Sequence, residues 1–347
     1  MLLDGRRILI IGGTGSMGSM LTRRILSGRH GHPARVVVFS RDEAKQHDLR
    51  VALVNEAAGR NGDAWGSPEF VIGDVRHLAS LTSACRDVDV VINAAALKQV
   101  PSCEYFPYEA VLTNVVGAQN LVRAIEDHAL PVRLVVGVST DKACKPVNTM
   151  GMTKAIQERI LVAANLRSRG TSYLCVRYGN VLASRGSVIP LFRDQIRRGG
   201  PVTITTTEMT RFLLSLDDAV DTVMAAIEHG LPGETWVPTA TSARVVDIAR
   251  AMIGEREVDI EVVGIRPGEK VHESLISDEE AMRTVHRAGY WVIRPALPEL
   301  GAGSIEPERI GEFVSDEHLL DAQGVAALLA ANDLLLDEPA LGAAPRP

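Results

Sequence analysis

Short apolar runs and longer amphipathic stretches take turns along the first half of this chain. Arg7–Ile11, Arg35–Phe39, Glu69–Ile72, Val88–Asn93, Leu134–Val138 and Ser172–Val176 are compact runs rich in Ile and Val, and the pattern predicts strands there. Leu134–Val138 is almost purely apolar, as a strand covered on both faces should be. Between these runs, Met17–Leu26, Asp42–Asn55, Tyr108–His128 and Met150–Leu166 predict helices; in Tyr108–His128 the three- and four-residue apolar steps mark a core-facing helix. Strand–helix units in series imply right-handed crossovers and an α/β fold with a parallel, doubly wound sheet. After Arg177 the rhythm breaks. Short strands (Val202–Thr205, Trp236–Pro238, Ile260–Val263) and helices (Leu216–His229, Ala243–Ile253) alternate irregularly. The expected division is a nucleotide-binding domain over 1–178 and a smaller, interleaved α/β domain over 179–338, mainly for substrate, with some segments returning to the first. The stretch 339–347, rich in Ala, Gly and Pro, is expected to be a disordered tail.

The first strand runs into Gly12-Gly13-Thr14-Gly15-Ser16-Met17-Gly18, which opens a helix. Glycines 12, 15 and 18 have the spacing of a dinucleotide fingerprint: a tight turn, close approach of backbone N–H groups to a pyrophosphate, and close packing of helix on strand. The helix N-terminus favours the anion. This context makes the sheet a Rossmann sheet. The end of the second strand selects the dinucleotide. An acid there would hold a ribose 2′-hydroxyl, but the chain has Ser40-Arg41, with Lys45 one turn on, which suits a 2′-phosphate. NADP is therefore expected, with NAD as the alternative. Asp42 or Glu43 fits a helix N-cap. Asp74, ahead of Val75, reads as an adenine contact or as a turn residue. Ala94, Ala95 and Ala96 leave room for a cofactor at the end of the fourth strand, and Lys98 is expected to face the substrate cleft.

Composition removes other classes. The chain has 347 residues, 46% of them apolar, enough for a large core without staples. A net charge of -6 gives no footprint for nucleic acid. No apolar run approaches a membrane span and no leader pattern opens the chain, so a cytoplasmic protein is expected. Cys85, Cys103, Cys144 and Cys175 lack metal-ligand spacing. His272-Glu273 is no zinc motif, because Ile276 stands where the second His belongs. No metal is expected.

The chemistry is carried by Ser139-Thr140-Asp141-Lys142, at the carboxyl end of the Leu134–Val138 strand, where open α/β sheets place their ligands. Short-chain dehydrogenases pair a Ser or Thr with Tyr-x-x-x-Lys, whose spacing sets phenol and ammonium on one helix face. Lys154 is present here, but Met150 holds the tyrosine position. A thioether takes no proton. Either the site is silent, or proton transfer has moved to Thr140, Asp141 and Lys142.

At this point the chain resembles the extended short-chain dehydrogenases of bacterial polysaccharide biosynthesis, in particular UDP-N-acetylglucosamine 4,6-dehydratases and their C5-inverting branch. The matching segments are Ala94–Pro101, Ser139–Ala143, Met150-Gly151-x-Thr153-Lys154, Arg177–Val181, Ser184–Pro190, Met209–Phe212 and Arg266–Lys270. Ser315 to Leu328 resembles the end of the C5-inverting branch, whereas Thr205-Thr206-Thr207-Glu208 departs from the Asp-Pro-Asn usual before Met-Thr-Arg-Phe. The resemblance implies oxidation at C4 by NADP, removal of the C5 proton by Lys142, loss of the C6 hydroxyl as water with Asp141 as general acid, and hydride return to C6. Thr140 would hold the C4 oxygen, and Lys154 the ribose. It further implies cofactor contacts from Asn114, Tyr178 and Asn180. It implies UDP-sugar contacts from Lys98, Asn180, Ser187, Val188, Pro190, Thr203, Arg211, Arg266 and Glu269, and a homo-oligomer. Two guanidinium forks, Arg211 and Arg266, suit a diphosphate. The competing readings are a UDP-sugar C4 epimerase, which would usually need the missing tyrosine, and a silent NADP-binding sensor.

Overall fold

The computed structural model describes residues 1–58, 67–182, 184, 186–301, 306–309 and 311–336; the stretch 339–347, expected to be a disordered tail, lies outside the described residues. Six strands form the centre: β1 (Arg7–Ile11), β2 (Arg35–Ser40), β3 (Glu69–Ile72), β4 (Val90–Asn93), β5 (Leu134–Thr140) and β6 (Ser172–Tyr178). They are all parallel and lie in the order β3-β2-β1-β4-β5-β6. That is the Rossmann order, with its switch point between β1 and β4. The strand Thr235–Pro238 joins in parallel beside β6, and the hairpin of Thr284–Arg287 and Tyr290–Ile293 extends that edge antiparallel. The α/β fold with its parallel sheet is as the sequence predicts.

The pleat explains the apolar runs. Alternate side chains of β1, β4 and β5 enter opposite layers. Ile8, Ile10, Ile92 and Val136 pack with Leu21, Ile25 and Trp236 on one face. Leu9, Ile11, Val91 and Val135 pack with Leu121 and Leu161 on the other. Beyond β6, the strands Asn180–Val181, Thr210–Leu214 and Thr241–Arg244 form a small separate sheet. The helices Val188–Arg197 and Val245–Ile253 share a further core through Ile189, Phe192, Ile248 and Met252.

Two elements depart from the periodicity. The predicted helix Tyr108–His128 is a short helix Pro107–Ala110, a widened π turn Val111–Val116 and a helix Gly117–Glu126. An extra residue in one turn hardly disturbs the apolar spacing, so the pattern misses it. The predicted helix Ala243–Ile253 starts only at Val245, because Thr241–Arg244 pairs with Thr210–Leu214 as a strand. Every carboxyl end from β1 to β6 then delivers its loop to the same edge of the large sheet, as a parallel order requires.

Candidate active site

The glycines after β1 have unequal roles. Gly12 has φ +77°, and a Cβ there would meet the backbone of Ala95 at 2.7 Å. A Cβ on Gly18 would meet the Gly12 carbonyl oxygen at 2.4 Å, so this glycine lets helix Ser16–Leu26 lie on the turn. Gly15 differs: its Cβ would find only the Gly12 carbonyl oxygen, at 3.4 Å. The space over Gly15 is open, and the helix that starts there has no side-chain cap and no acid in its first turn. A helix N-terminus of this kind favours an anion. Thr14 is buried here and Met17 packs on the core. A dinucleotide pyrophosphate fits this cradle.

At the end of β2, Ser40 is buried and its Oγ accepts from Gln46 Nε2 at 3.0 Å. Asp42 Oδ1 accepts from Lys45 N, and its carboxylate pairs with Lys45 Nζ at 2.7 Å. Lys45 is thereby engaged on its own helix. Arg41 remains about half exposed, 3.7 Å from Asp74. Asp74 accepts from Arg76 through both backbone and guanidinium, which burial opposes but which holds its carboxyl below the usual range. Arg76, two residues past Asp74, and Gln46, six past Ser40, escape a reading by motif because neither residue type belongs to the nucleotide-binding fingerprint. Val75 is buried, with its carbonyl accepting from Asn120. Asn114, in the π turn, accepts from Leu97 N at 2.9 Å and donates to Leu97 O and Thr153 Oγ1. It therefore locks the loop holding Ala94, Ala95, Ala96 and the exposed Lys98.

The helix Thr149–Ala164 carries Met150 and Lys154. Met150 is buried in an apolar cluster with Cys103 and Ala110. Lys154 Nζ donates to Val138 O at 2.6 Å and to Gln157 Oε1 at 2.7 Å, and burial pushes its ammonium down to about 8. Tyr178 lies beside Thr140 in register, but burial pushes its phenol up, so it is a poor substitute for the missing tyrosine.

Asp141 and Lys142 follow β5 directly. Asp141 Oδ1 accepts from Thr140 Oγ1 at 2.7 Å, from Lys142 N at 2.9 Å and from Lys142 Nζ at 3.2 Å. Its other oxygen, Oδ2, is buried with no hydrogen-bond partner. A buried carboxylate oxygen left unmatched is costly unless something else binds it. Lys142 Nζ also lies 3.2 Å from Glu273 Oε1. Burial alone would lower the Lys142 ammonium, but Asp141 and Glu273 outweigh it and hold it above its ordinary value. Gly151 permits this packing, since a Cβ there would meet the Lys142 carbonyl oxygen at 2.2 Å.

The second part of the chain folds over this edge. A Cβ on Gly186 would run into Gln99, and one on Gly268 into Asn148 and Val100. Asn148 caps helix Thr149–Ala164 through Gly151 N and donates to Gly268 O at 2.7 Å. Ser187 begins helix Val188–Arg197 without capping it, and its Oγ, like Oδ1 of Asn180, is buried without a partner. Val188 and Pro190 lie in the first turn of that helix. Not every expected contact faces this space. Arg211 donates to the carbonyls of Thr210, Val271 and Lys270, fixing the loop from Arg266. Thr203 is bonded to Gln195. Glu269 accepts from Thr205 Oγ1, and Arg266 is exposed. Among the described residues, no cluster of His, Cys, Asp or Glu could hold a metal, and no helix is long and apolar enough to cross a membrane.

A family model described as "Polysaccharide biosynthesis protein" matches residues 8–295. A protein named UDP-glucose 4-epimerase from Rickettsia conorii is 45% identical over 293 residues, covering 83% of this chain and 82% of its own length. Among solved structures, Pen from Bacillus thuringiensis is 32% identical with a TM-score of 0.85, covering 95% of this chain and 100% of that one. The dTDP-glucose 4,6-dehydratase DesIV from Streptomyces venezuelae, with NAD and TYD bound, shares the fold at 22% identity and a TM-score of 0.66, over 76% of this chain and 86% of that one.

Proposed function

This chain belongs to the polysaccharide biosynthesis protein family, and we propose that it is a nucleotide-sugar 4,6-dehydratase. The substrate would be UDP-N-acetylglucosamine and the product a UDP-4-keto-6-deoxy sugar, with inversion at C5 where the proton returns to the opposite face. One observation carries this reading. A carboxyl–ammonium pair with an unmatched carboxylate oxygen stands at the end of β5, while the tyrosine position is a buried methionine.

The chain's own groups divide the work. The turn Gly12–Gly18 would hold the pyrophosphate of NADP, Lys154 the ribose, and Arg41 the 2′-phosphate. When bound, the nicotinamide supplies the hydride acceptor for C4 and the donor for C6. Thr140 holds the C4 oxygen; oxidation there would release the C4 hydroxyl proton to solvent as the hydride leaves, and solvent would return one proton to C5 at the end, so that the protons balance. Elimination needs a neutral amine and a protonated acid, the reverse of the ion pair at rest. A single proton shift along the 3.2 Å Lys142–Asp141 hydrogen bond supplies both. A substrate that excludes water favours that shift, since desolvation disfavours charge. Lys142 then removes the C5 proton, and the Asp141 acid protonates the departing C6 hydroxyl, which leaves as water. The uncapped start of helix Val188–Arg197, with Ser187 and Asn180, is suited to the nucleotide diphosphate.

A second reading, C4 epimerisation, is favoured by the name of the Rickettsia conorii relative. Proton NMR of UDP-N-acetylglucosamine incubated with the protein and NADP in D₂O separates the two. A keto-deoxy product labelled at C5 supports dehydration. A product with an axial C4 hydroxyl would establish epimerisation, and unchanged sugar would leave only a binding role.

A further inference from the structure

Glu273 belongs to neither the motif around Asp141 nor the nucleotide-binding turn, yet it is among the most buried charges in the molecule, with 2% of its side chain exposed. It stands just before the strand Ser274–Ile276, which pairs with Phe313–Val314. Its backbone is fixed on both sides by one residue: Glu273 N donates to Ser315 Oγ at 2.9 Å, and Ser315 N donates to Glu273 O at 2.8 Å. One carboxylate oxygen faces Lys142 Nζ and the other faces Lys270 Nζ, each at 3.2 Å. Lys270 is itself tied by its ammonium to the carbonyls of Cys144 and Lys145, in the loop that continues from Lys142.

We propose that Glu273 is a positioning residue for Lys142: its buried carboxylate anchors the ammonium beside Asp141 and sets how readily that lysine gives up its proton. This deepens the reading of Asp141 and Lys142 as a proton-transfer pair and rests on it. Three charged side chains act on Lys142. Asp141 on its own loop and Glu273 favour the ammonium, and Arg211 on the strand Thr210–Leu214 opposes it. Lys270 sits behind Glu273, and Lys154 on the neighbouring helix is aimed at Val138 O and Gln157 instead. Burial alone would raise the Glu273 carboxyl, but Lys142, Arg211 and Lys270 outweigh it and keep it ionised. Without Glu273, Asp141 would be left to hold the Lys142 ammonium against burial and Arg211. The lysine end of Glu273 therefore acts as a brake on the proton shift, and its backbone ties that brake to the segment starting at Ser315.

The test is Glu273→Gln, which keeps the size and an acceptor oxygen but removes the charge. Competitive labelling with acetic anhydride, read by mass spectrometry on the peptide carrying Lys142, follows the titration of this lysine without any turnover. Turnover of UDP-N-acetylglucosamine against pH is followed in parallel. The reactive pair carries one proton, so the rate falls on the alkaline side when that proton is lost. An opposite charge this close shifts an ionisation by about 1–3 pH units. We expect the labelling midpoint of Lys142 to fall by about one pH unit or more, with the alkaline limb of the rate profile moving down by the same amount. A folded Glu273→Gln protein with an unmoved labelling midpoint would overturn the proposal, leaving Glu273 a structural residue. A midpoint that falls while the alkaline limb stays would uphold the grip of Glu273 on Lys142 and sink the pair as the proton-transfer groups. Glu273→Asp withdraws the charge by one methylene. It gives the same readings with a smaller shift if the glutamine variant does not fold.

Discussion

At the scale of single residues, the account turns on what Met150, which holds the tyrosine position, and Lys154 do in the absence of a phenol. Met150 packs against Cys103, Ala110, Leu97 and Val100 and touches no titratable group of the proposed reaction. Met150→Leu should therefore keep turnover within about threefold and cost less than about 1.5 kcal/mol of stability, as volume-conserving swaps do. A large loss of turnover with the stability intact would give the thioether a role that nothing here assigns. Lys154 makes a prediction of opposite character. Its ammonium is pushed down to about 8 in the fold, against an ordinary value of 10.5. Between those values the unfolded chain binds more protons, so this residue makes stability rise with pH across that window. In cofactor-free protein, the stability of Lys154→Met relative to wild type should be highest below pH 8 and should fall by about 3 kcal/mol by pH 10.5, read by denaturant titration. A difference that stays flat with pH would contradict a desolvated lysine at this position.

At the scale of elements, the turn between β1 and helix Ser16–Leu26 separates backbone need from ligand need. Gly12→Ala forces a side chain at φ +77° onto the backbone of Ala95. It should destabilise the protein itself by about 1–3 kcal/mol. Gly15→Ala meets only a carbonyl at 3.4 Å, so the cofactor-free protein should keep its melting temperature while losing at least about tenfold in NADP affinity. Equal effects of the two variants on stability would show that the space over Gly15 is not kept for a ligand. Contiguity made this element, and the Ser139–Lys142 segment, legible in the sequence: the residues that act together are adjacent, and strand and helix periods frame them. The π turn Val111–Val116 was not legible, because one extra residue per turn leaves the apolar steps almost unchanged. The hairpin of Thr284–Arg287 and Tyr290–Ile293 was not legible either, since its polar His286 and Arg287 interrupt the alternation that marks a strand.

At the scale of the whole molecule, the proposed reaction depends on segments far apart in sequence meeting at one edge of the sheet. The loop from Arg266 to Glu273 closes on the loop from Asp141 to Asn148 through Asn148–Gly268, Lys270–Cys144 and Glu273–Lys142 contacts. None of these pairings could be read from spacing, because each partner is placed by tertiary packing. The resemblance named Arg211 as a UDP ligand. In the fold its guanidinium is bonded to the carbonyls of Thr210, Lys270 and Val271, and so shapes the loop that covers the site. The central claim is that the carboxyl and ammonium beside β5 perform the elimination at a site whose tyrosine position is a methionine. Asp141→Asn tests it most directly, because it removes the acid needed to expel the C6 oxygen but not the means of oxidising C4. Mixed with NADP and UDP-N-acetylglucosamine in D₂O, this variant should accumulate reduced nicotinamide absorbance and form keto-deoxy sugar at least about a hundredfold more slowly than wild type. Formation of that product at the wild-type rate would contradict the account.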